Sequence, residues 1–360
     1  MAKPTEPQHA TSRAQVNMLP FTDLPHRRLQ VVFDEPELSS DGGAVIMREA
    51  VVANGITKAM AAVIDDPRSQ AHIDHELEAL LVQRTVQICH GYEDANDCNT
   101  MKNDPALKVA VGRSPDGPAL ASQPTMTRLE NSVTHRDLLR MFYVFVDNLL
   151  DSYAAPPEVI IIDMDPTANR VYGDQQGALF NGHYDAYCLM PFHVYEGITG
   201  RLIATVARPG KTPTKDEIIA LLKRIVRRIR RRFPQTMLIF RADSHHTKPD
   251  VLDWLEHNEV RYALGMATNP VLQREVRQLM EWAGRVCNDE MSRCRRFHSF
   301  TYGAESWSRK RRIVARVEAS SMGVDARFIV TNIRTPDPGR LLSLEGASGD
   351  LDVRPQKIAT

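Results

Sequence analysis

The sequence predicts an α/β protein: a mixed β-sheet with flanking helices, preceded by a mainly helical N-terminal region. After residue 157, short β-branched apolar runs alternate with amphipathic helical patterns, whereas helical patterns predominate before it. Pro156 and Pro157 mark the change between the two regions. The composition, 42% hydrophobic and 25% charged residues, is typical of a soluble globular protein.

The first region of order is expected after a polar, aperiodic stretch. Residues 1–27 are predicted to be a disordered tail, and residues 28–155 a mainly helical N-terminal region. Residues 341–360 are turn-rich and are expected to form an irregular tail. Within the N-terminal region, the patterns predict a strand at Leu29–Phe33 and helices at Ala44–Val52, His75–Cys89 and Thr127–Leu150.

Residues 156–340 are predicted to form the core of the protein. Strands are expected at Glu158–Asp163, Tyr184–Tyr195, Leu202–Ala207, Thr236–Phe240 and Tyr262–Met266. Helices are expected from a capping box at Thr214 to Phe233, at Pro249–His257 and from Pro270 to about Trp282. Three strands followed by alternating helices and strands is the ribonuclease-H-like arrangement. Three further strands, Arg296–Tyr302, Lys310–Glu318 and Ala326–Asn332, predict a β-rich insertion at about residues 290–333.

Aspartates follow two of these strands where the strands end. Asp163 and Asp165 close the first strand, which Pro166 terminates, and Asp243 follows the fourth. The first and fourth strands are neighbours in a ribonuclease-H-like sheet, so Asp165 and Asp243 are expected to meet. Paired carboxylates suit Mg²⁺, or Mn²⁺ in its place. The alternative for a single aspartate is a structural pairing with arginine or lysine.

Two histidines, His245 and His246, stand directly beyond Asp243. They are candidates for ligands or acid–base groups, and the alternative is a supporting or solvent-facing position.

Basic residues are concentrated in two stretches, although the formal net charge is zero. Arg208–Arg241 contains eleven lysines and arginines against two acids, and Arg285–Arg316 contains nine against three. Such stripes suggest a polyanion-binding surface, whereas a solvated helix face is the alternative. The candidate DNA-binding residues are Arg224, Arg227, Arg228 and Arg231 on one helical stripe, together with Trp307, Arg309, Lys310 and Arg311. Trp307 either stacks on a base or packs in a core.

The cysteines and the lack of long apolar runs indicate the cellular compartment of the protein. Five scattered cysteines without CxxC spacing argue for a reducing environment and against a disulfide scaffold or a zinc site. The N-terminus is polar and no apolar run approaches the length of a membrane span. A cytoplasmic protein without a membrane partner is therefore expected.

Many spaced segments resemble the DDE-type transposases of bacterial insertion sequences, in the group whose catalytic domain opens with a D-x-D-x-T strand. The matching segments include DMDPT (163–167), GALFNGHYDAYCLMP (177–191), RADS (241–244), ESWSRKRR (305–312) and RFIVTNI (327–333). Further segments at 38–49, 91–113 and 120–133 extend the resemblance to about residues 28–335. The resemblance implies DNA transposition through a ribonuclease-H-like core with two Mg²⁺ ions, with Asp165 and Asp243 as the first two acids and Asp163 as a helper or an alternative first acid.

The resemblance further implies that residues 28–155 bind the element ends, that the protein acts as a homodimer on paired ends of DNA, and that it works at the bacterial nucleoid. A third acid, a glutamate within a segment like RGxxENxIKE, has no match here; Glu345 and Asp350 lie in other contexts. We therefore expect a truncated or frame-shifted copy. The alternatives are an inactive DNA-binding remnant of a transposase and a ribonuclease-H-like nuclease unrelated to transposition.

Overall fold

The computed structural model describes residues 41–290 and 293–334. The predicted tails, 1–27 and 341–360, and the predicted strand at Leu29–Phe33 lie outside the described residues. The chain divides into two compact units, Met1–Val144 and Phe145–Thr360. The division falls within a helix, and therefore earlier than the boundary expected at Pro156 and Pro157.

The first unit is helical throughout its described part. Its helices are α1 (Gly43–Asn54), α2 (Ile56–Ala61), α3 (Leu77–Cys89), α4 (Asp97–Met101), α5 (Pro105–Ala110), α6 (Gln123–Ser132) and the start of α7 (His135–Asp151). Helices α1, α3 and α5 pack on one another around Ala44, Val86 and Leu107, which are fully buried. The buried Gln83 side chain exchanges two hydrogen bonds with the backbone of Ala121, which ties α3 to the loop before α6.

The single helix predicted for Thr127–Leu150 is wrong, because two helices, α6 and α7, occupy this segment. Thr134 separates them and caps the second helix. The Asp137 carboxylate accepts hydrogen bonds from Thr134 N (3.0 Å) and Thr134 Oγ1 (2.6 Å), and Asp137 N donates in return to Thr134 Oγ1 (3.3 Å). This reciprocal cap starts a new helix where apolar periodicity alone suggested continuity.

The second unit contains all of the strands in the described part of the chain. These are β1 (Val159–Pro166), β2 (Asn169–Arg170), β3 (Leu179–Asn181), β4 (Ala186–Leu189), β5 (Phe192–Glu196), β6 (Leu202–Val206), β7 (Met237–Ala242), β8 (Arg261–Met266), β9 (Cys294–Tyr302), β10 (Arg311–Ser320) and β11 (Gly323–Thr331). Its helices are the end of α7, α8 (Lys215–Arg232), α9 (Pro249–His257) and α10 (Pro270–Glu290). Helix α10 continues past the predicted end near Trp282.

The main sheet has the strand order β6-β5-β1-β7-β8-β11-β10-β9. Strands β6, β5 and β1 are antiparallel, and β7 and β8 continue from β1 in parallel. The five neighbouring strands β6-β5-β1-β7-β8 have the order and directions of a ribonuclease-H-like sheet, so the predicted fold is confirmed. The predicted insertion does not form a separate sheet: β11 pairs with β8, so β9–β11 extend the same sheet.

One predicted strand, Tyr184–Tyr195, is divided in the structure. Strand β4 belongs to a small sheet of order β2-β4-β3, whereas β5 belongs to the main sheet. Pro191 lies between them and cannot donate to a strand ladder, which accounts for the change of sheet at this point.

Helices α8 and α9 are fixed by capping and packing. The predicted capping box of α8 is present, with Thr214 and Glu217 bonded to each other's backbone N–H. Helix α9 lies on the face of the sheet that carries Tyr262, because Tyr262 Oη donates to Glu256 of α9 (2.7 Å). No helix in the described residues is long and apolar enough to cross a membrane.

Candidate active site

Strands β1 and β7 place the two predicted acids side by side. They are parallel neighbours in which Asp163 lies opposite Arg241 and Met164 opposite Ala242. Asp165 and Asp243 are the next residues along the two strands. Both line one cleft of about 1110 Å³, together with His193, Gly265 and other residues of the second unit. The expected convergence of Asp165 and Asp243 at neighbouring strand ends is therefore present.

Asp165 carries a carboxylate that accepts no hydrogen bond from the residues described. Partial burial of this carboxyl raises its pKa, and the negative charge of Asp243 raises it further. Three histidines, His246, His193 and His245, act in the opposite direction. The resulting pKa is above the ordinary value for aspartate. Repulsion between two converging carboxylates is relieved either by a proton or by a bound cation.

Asp243 is held by the two histidines that follow it. Its Oδ1 lies 2.7 Å from His246 Nδ1, and its Oδ2 lies 2.7 Å from His245 Nδ1. Burial raises the pKa of Asp243, but the hydrogen bonds and positive charge of His246 and His245 outweigh burial and lower it to about 2. Asp243 is therefore the ionised member of the pair, and Asp165 is the member whose charge is disfavoured.

His246 is completely buried and packs against the rings of Phe192 and Phe240, with ring centroids 6.0 and 6.1 Å away. Its Nε2 is buried without a hydrogen-bond partner among the described residues. Nδ1 is therefore the ring nitrogen that faces the Asp243 carboxylate and donates to it. The sequence offered either a direct role or a supporting position for this histidine. The contacts of His246 correspond to the supporting position, because they fix the orientation of the Asp243 carboxylate.

Asp163 has a different partner. Its carboxylate forms two hydrogen bonds with the Arg241 guanidinium, and Oδ1 lies 2.5 Å from Nε. Burial raises the pKa of Asp163, and the Arg241 pairing counteracts that effect. Gly197 lies against this pair: a Cβ there would stand 2.8 Å from Asp163 Oδ2 and 3.0 Å from Arg241 Nη2. The arrangement corresponds to the structural alternative for Asp163 and locks β1 to β7 two residues before Asp165 and Asp243.

Asp165 and Asp243 have the donor chemistry that Mg²⁺ or Mn²⁺ requires, since both offer carboxylate oxygens at the rim of a cleft. Within residues 41–290 and 293–334, no group of three or more histidines, cysteines or acids is arranged to hold a metal ion. The third acid expected from the resemblance would follow the insertion, and residues 335–360 lie outside the described part. The truncation expected from the sequence also falls within residues 335–360, so it too lies outside the described part.

The arginine stripe of α8 is only partly available. Arg224, Arg227 and Arg231 are exposed. Arg228 instead makes a two-hydrogen-bond ion pair with Asp147 of α7, at 2.6 Å for both contacts. The predicted phosphate surface on α8 therefore consists of three exposed arginines and one that is already paired.

Arg311 does not suit the DNA-binding role predicted for it. Its side chain is buried and bonded to Glu256 (2.9 Å) and Asp253 (2.5 Å). The guanidinium also lies 5.3 Å from the ring centroid of Trp307, which contacts Tyr302 edge-to-face. Trp307 is thus half-buried in an internal cluster, as in the packing alternative considered from the sequence.

Arg309 and Lys310 lie beside this cluster and are exposed. Arg309 pairs with Glu256 at 2.7 Å. These two residues are therefore more accessible to a ligand than Arg311.

Two arginines that line the cleft are not indicated as site residues by the sequence. Arg316 of β10 and Arg327 of β11 face the same space as Asp165 and Asp243. Both lie in the insertion, and their position depends on the pairing of β11 with β8, for which the local sequence carries no signal.

The fold and the paired carboxylates define a ribonuclease-H-like protein with Asp165 and Asp243 at neighbouring strand ends in one cleft. The chain matches the family model described as transposase DDE domain group 1 over residues 21–349. It therefore belongs to that family.

Among solved structures, the chain is similar to one described as a piggyBac transposase synaptic complex with hairpin DNA. The identity is 10% and the TM-score 0.39. The similarity covers 85% of this chain and 65% of the other, so the chain spans about two thirds of that protein's length. No protein with a curated description matches the sequence.

Proposed function

We propose that this chain catalyses Mg²⁺-dependent cleavage and transfer of DNA strands at the ends of a mobile element. The observation that carries the proposal is the pair of carboxylates, Asp165 and Asp243, at neighbouring parallel strand ends in one cleft. Membership of the DDE transposase family gives this pair a reaction class, phosphoryl transfer on DNA.

In this mechanism Asp165 and Asp243 supply carboxylate oxygens to the metal. When bound, Mg²⁺ neutralises the charge on the reacting phosphate and increases the nucleophilicity of the attacking oxygen. The Asp163–Arg241 pair holds the two strands in register, and His246 fixes the orientation of the Asp243 carboxylate. These contacts pre-organise the acids, so little reorientation is needed at the moment of reaction.

DNA is the proposed partner, with a homodimer acting on two element ends. Arg224, Arg227 and Arg231 are exposed on one stripe of α8 and suit phosphate contacts. The helical N-terminal region is the proposed reader of the element ends, because it is the remaining compact unit of the chain.

Single substitutions of the two acids test the proposal. The substrate is a plasmid that carries the coding region with its flanking DNA, incubated with the full chain and Mg²⁺ or Mn²⁺. We expect metal-dependent strand breaks at the flanks, lost in Asp165→Asn and Asp243→Asn but retained in Asp174→Asn, which changes an exposed acid of the same unit. Cleavage that survives either of the first two substitutions would refute the assignment.

A gel shift with the same flanking DNA in EDTA separates binding from chemistry. Specific binding without cleavage under any metal condition would favour the inactive DNA-binding alternative. That alternative is motivated by the two-acid site, since no third ligand stands within the described residues. Cleavage without preference for the flanks would instead indicate a general nuclease.

A further inference from the structure

The strand register places arginines of the insertion on the face of the sheet that carries the two acids. Directly opposed residues of neighbouring strands project from the same face. Asp163 of β1 lies opposite Arg241 of β7, which lies opposite Ala263 of β8. Ala263 lies opposite Thr331 of β11, and Thr331 lies opposite Arg312 of β10, so that these five residues form one row on the same face. Side chains alternate along a strand, so a residue four positions from this row projects from the same face. Arg327 is four residues from Thr331 and Arg316 is four residues from Arg312, so both share that face, and they lie opposite each other.

The same register places these arginines at the end of the sheet where the acids lie. Strands β1, β7 and β8 are parallel, and both acids lie towards their carboxyl ends. Strand β11 runs in the opposite direction, and Phe328 lies opposite Met266, the last residue of β8. Residues 323–327 therefore extend beyond β8 at the acidic end. Arg316 and Arg327 line the cleft for this reason.

Two more arginines, Arg293 and Arg295, complete a cluster with Arg316 and Arg327, which we call the arginine surface. Glu318 contacts three of its members, at 3.4 Å from Arg295, at 3.7 Å from Arg316 and closely with Arg293. Asp325 contacts Arg327 at 3.3 Å. Glu318 and Asp325 are the carboxylates that these contacts bring to the four guanidinium groups.

Three of these four guanidinium groups are open to solvent. The side chains of Arg293, Arg295 and Arg327 are 64%, 47% and 66% exposed, whereas Glu318 is only 14% exposed beneath them. A guanidinium presents a planar set of donors that matches two oxygens of a phosphate. The arginine surface therefore presents three accessible, positively charged donor groups to a ligand in solvent.

The extent of the surface fits a polymer better than a single anion. It reaches from β9 across β10 to β11, about 10 Å at the usual strand spacing of ~4.8 Å. That distance corresponds to about three nucleotides at 3.4 Å per nucleotide. We infer that the arginine surface binds the DNA backbone immediately beside the phosphate held in the cleft. This inference rests on the proposed function, and it names the part of the chain that holds the flanking segment of the substrate.

The test is the DNA affinity of the double variant Arg295→Gln/Arg327→Gln, measured by fluorescence anisotropy on a duplex taken from the DNA that flanks the coding region, in EDTA over a series of salt concentrations. The matched control is Arg274→Gln/Arg285→Gln, which removes two exposed arginines from α10. Helix α10 packs on the opposite face of the insertion, where Gly284 adjoins Val324. Thermal melting of both variants verifies that they fold.

We expect the first variant to bind about tenfold more weakly near physiological salt. Its slope of log affinity against log salt should fall by about 2, because each phosphate that an arginine neutralises contributes close to 0.9 to that slope. The control should bind as the wild type does. Equal affinity and equal slope for the first variant would overturn the inference.

The two proposals fail in different ways. If the wild-type chain binds the duplex through the arginine surface but never cleaves it with metal, the proposed catalysis fails and the surface remains. If the chain cleaves DNA while the double variant binds normally, only the arginine surface fails. A wild-type chain that binds no DNA overturns both.

Discussion

Replacing Arg241 by methionine tests whether the Asp163–Arg241 pair holds together the strands that carry the proposed ligands. The Arg241 side chain is 7% exposed and that of Asp163 is 24% exposed. Methionine keeps most of the buried volume but removes the charge. Asp163 would then keep a largely buried carboxylate near Glu196, whose charge disfavours its ionisation, and would lose its cationic partner.

The expected cost follows from this burial. Removing one partner of a buried ion pair costs roughly 3–5 kcal/mol. Because about a quarter of the Asp163 side chain meets solvent, we expect the lower end, about 3 kcal/mol. For a domain of this size, each kcal/mol lowers Tm by about 2–4 °C, so Tm should fall by about 6–12 °C.

The pH dependence of this loss has a definite sign. Arg241 lowers the pKa of Asp163 against the effect of burial, so its removal raises the pKa in the folded state further above that of the unfolded chain. A carboxyl whose pKa is higher in the folded state than in the unfolded state does not lower the free energy of unfolding at a pH below its unfolded pKa. Its destabilising effect grows as the pH rises and is complete above the folded pKa. The destabilisation by Arg241→Met should therefore be smaller near pH 4 than at pH 7.

Urea denaturation of Asp163→Asn, Arg241→Met and the double variant measures the coupling between the two residues. We expect the double variant to be more stable than the sum of the two single losses predicts, with a coupling energy above about 1 kcal/mol. A loss below about 1 kcal/mol in Arg241→Met, or additive losses in the double variant, would refute the reasoning.

Three further substitutions test other parts of the site. Gly197→Ala should destabilise the fold by about 1–3 kcal/mol in urea denaturation, because its Cβ would overlap the Asp163–Arg241 pair; unchanged stability would contradict that packing. His246→Phe should raise the Asp243 pKa from about 2 towards the ordinary value, as measured by carboxyl ¹³C NMR on metal-free protein, since the substitution removes one hydrogen bond and a neighbouring charge; an unaltered titration would show that His246 does not hold the carboxylate. Arg311→Met should lower stability by about 3 kcal/mol and leave DNA affinity unchanged at equal folded fraction, because Arg311 is internally paired; the reverse pattern would restore its predicted DNA contact.

The adjacency of Asp165 and Asp243 was predictable because strand order carries it. The β-branched run before Asp163 and Asp165, and the later apolar run Thr236–Phe240 shortly before Asp243, are sufficient to place both acids at neighbouring strand ends once the strand order is predicted. The distinction between Asp163 and Asp165 was not resolved, since residues two apart share one face. The two aspartates differ in what lies opposite them on β7. Arg241 precedes Asp243 by two residues, as Asp163 precedes Asp165, so the in-register pairing of β1 and β7 places Arg241 opposite Asp163.

Pairings between distant segments were beyond the sequence. Nothing in the local pattern of β11 indicates that it pairs with β8, so the insertion could not be recognised as a continuation of the sheet, nor Arg316 and Arg327 as neighbours of the acids. Local errors had local causes. Apolar periodicity over residues 127–150 does not reveal the reciprocal cap at Thr134. The strand predicted at Tyr184–Tyr195 contains Pro191, which separates two sheets in the structure.

Binding of Mn²⁺ to the metal-free chain tests the central claim, that Asp165 and Asp243 together hold the catalytic ion. The measurement is electron paramagnetic resonance titration of the wild type, Asp165→Asn, Asp243→Asn and the control Asp174→Asn. We expect one class of site in the wild type and the control, weakened at least about tenfold in each of the other two variants. Wild-type affinity in Asp165→Asn or Asp243→Asn, or no binding by the wild type, would contradict the claim.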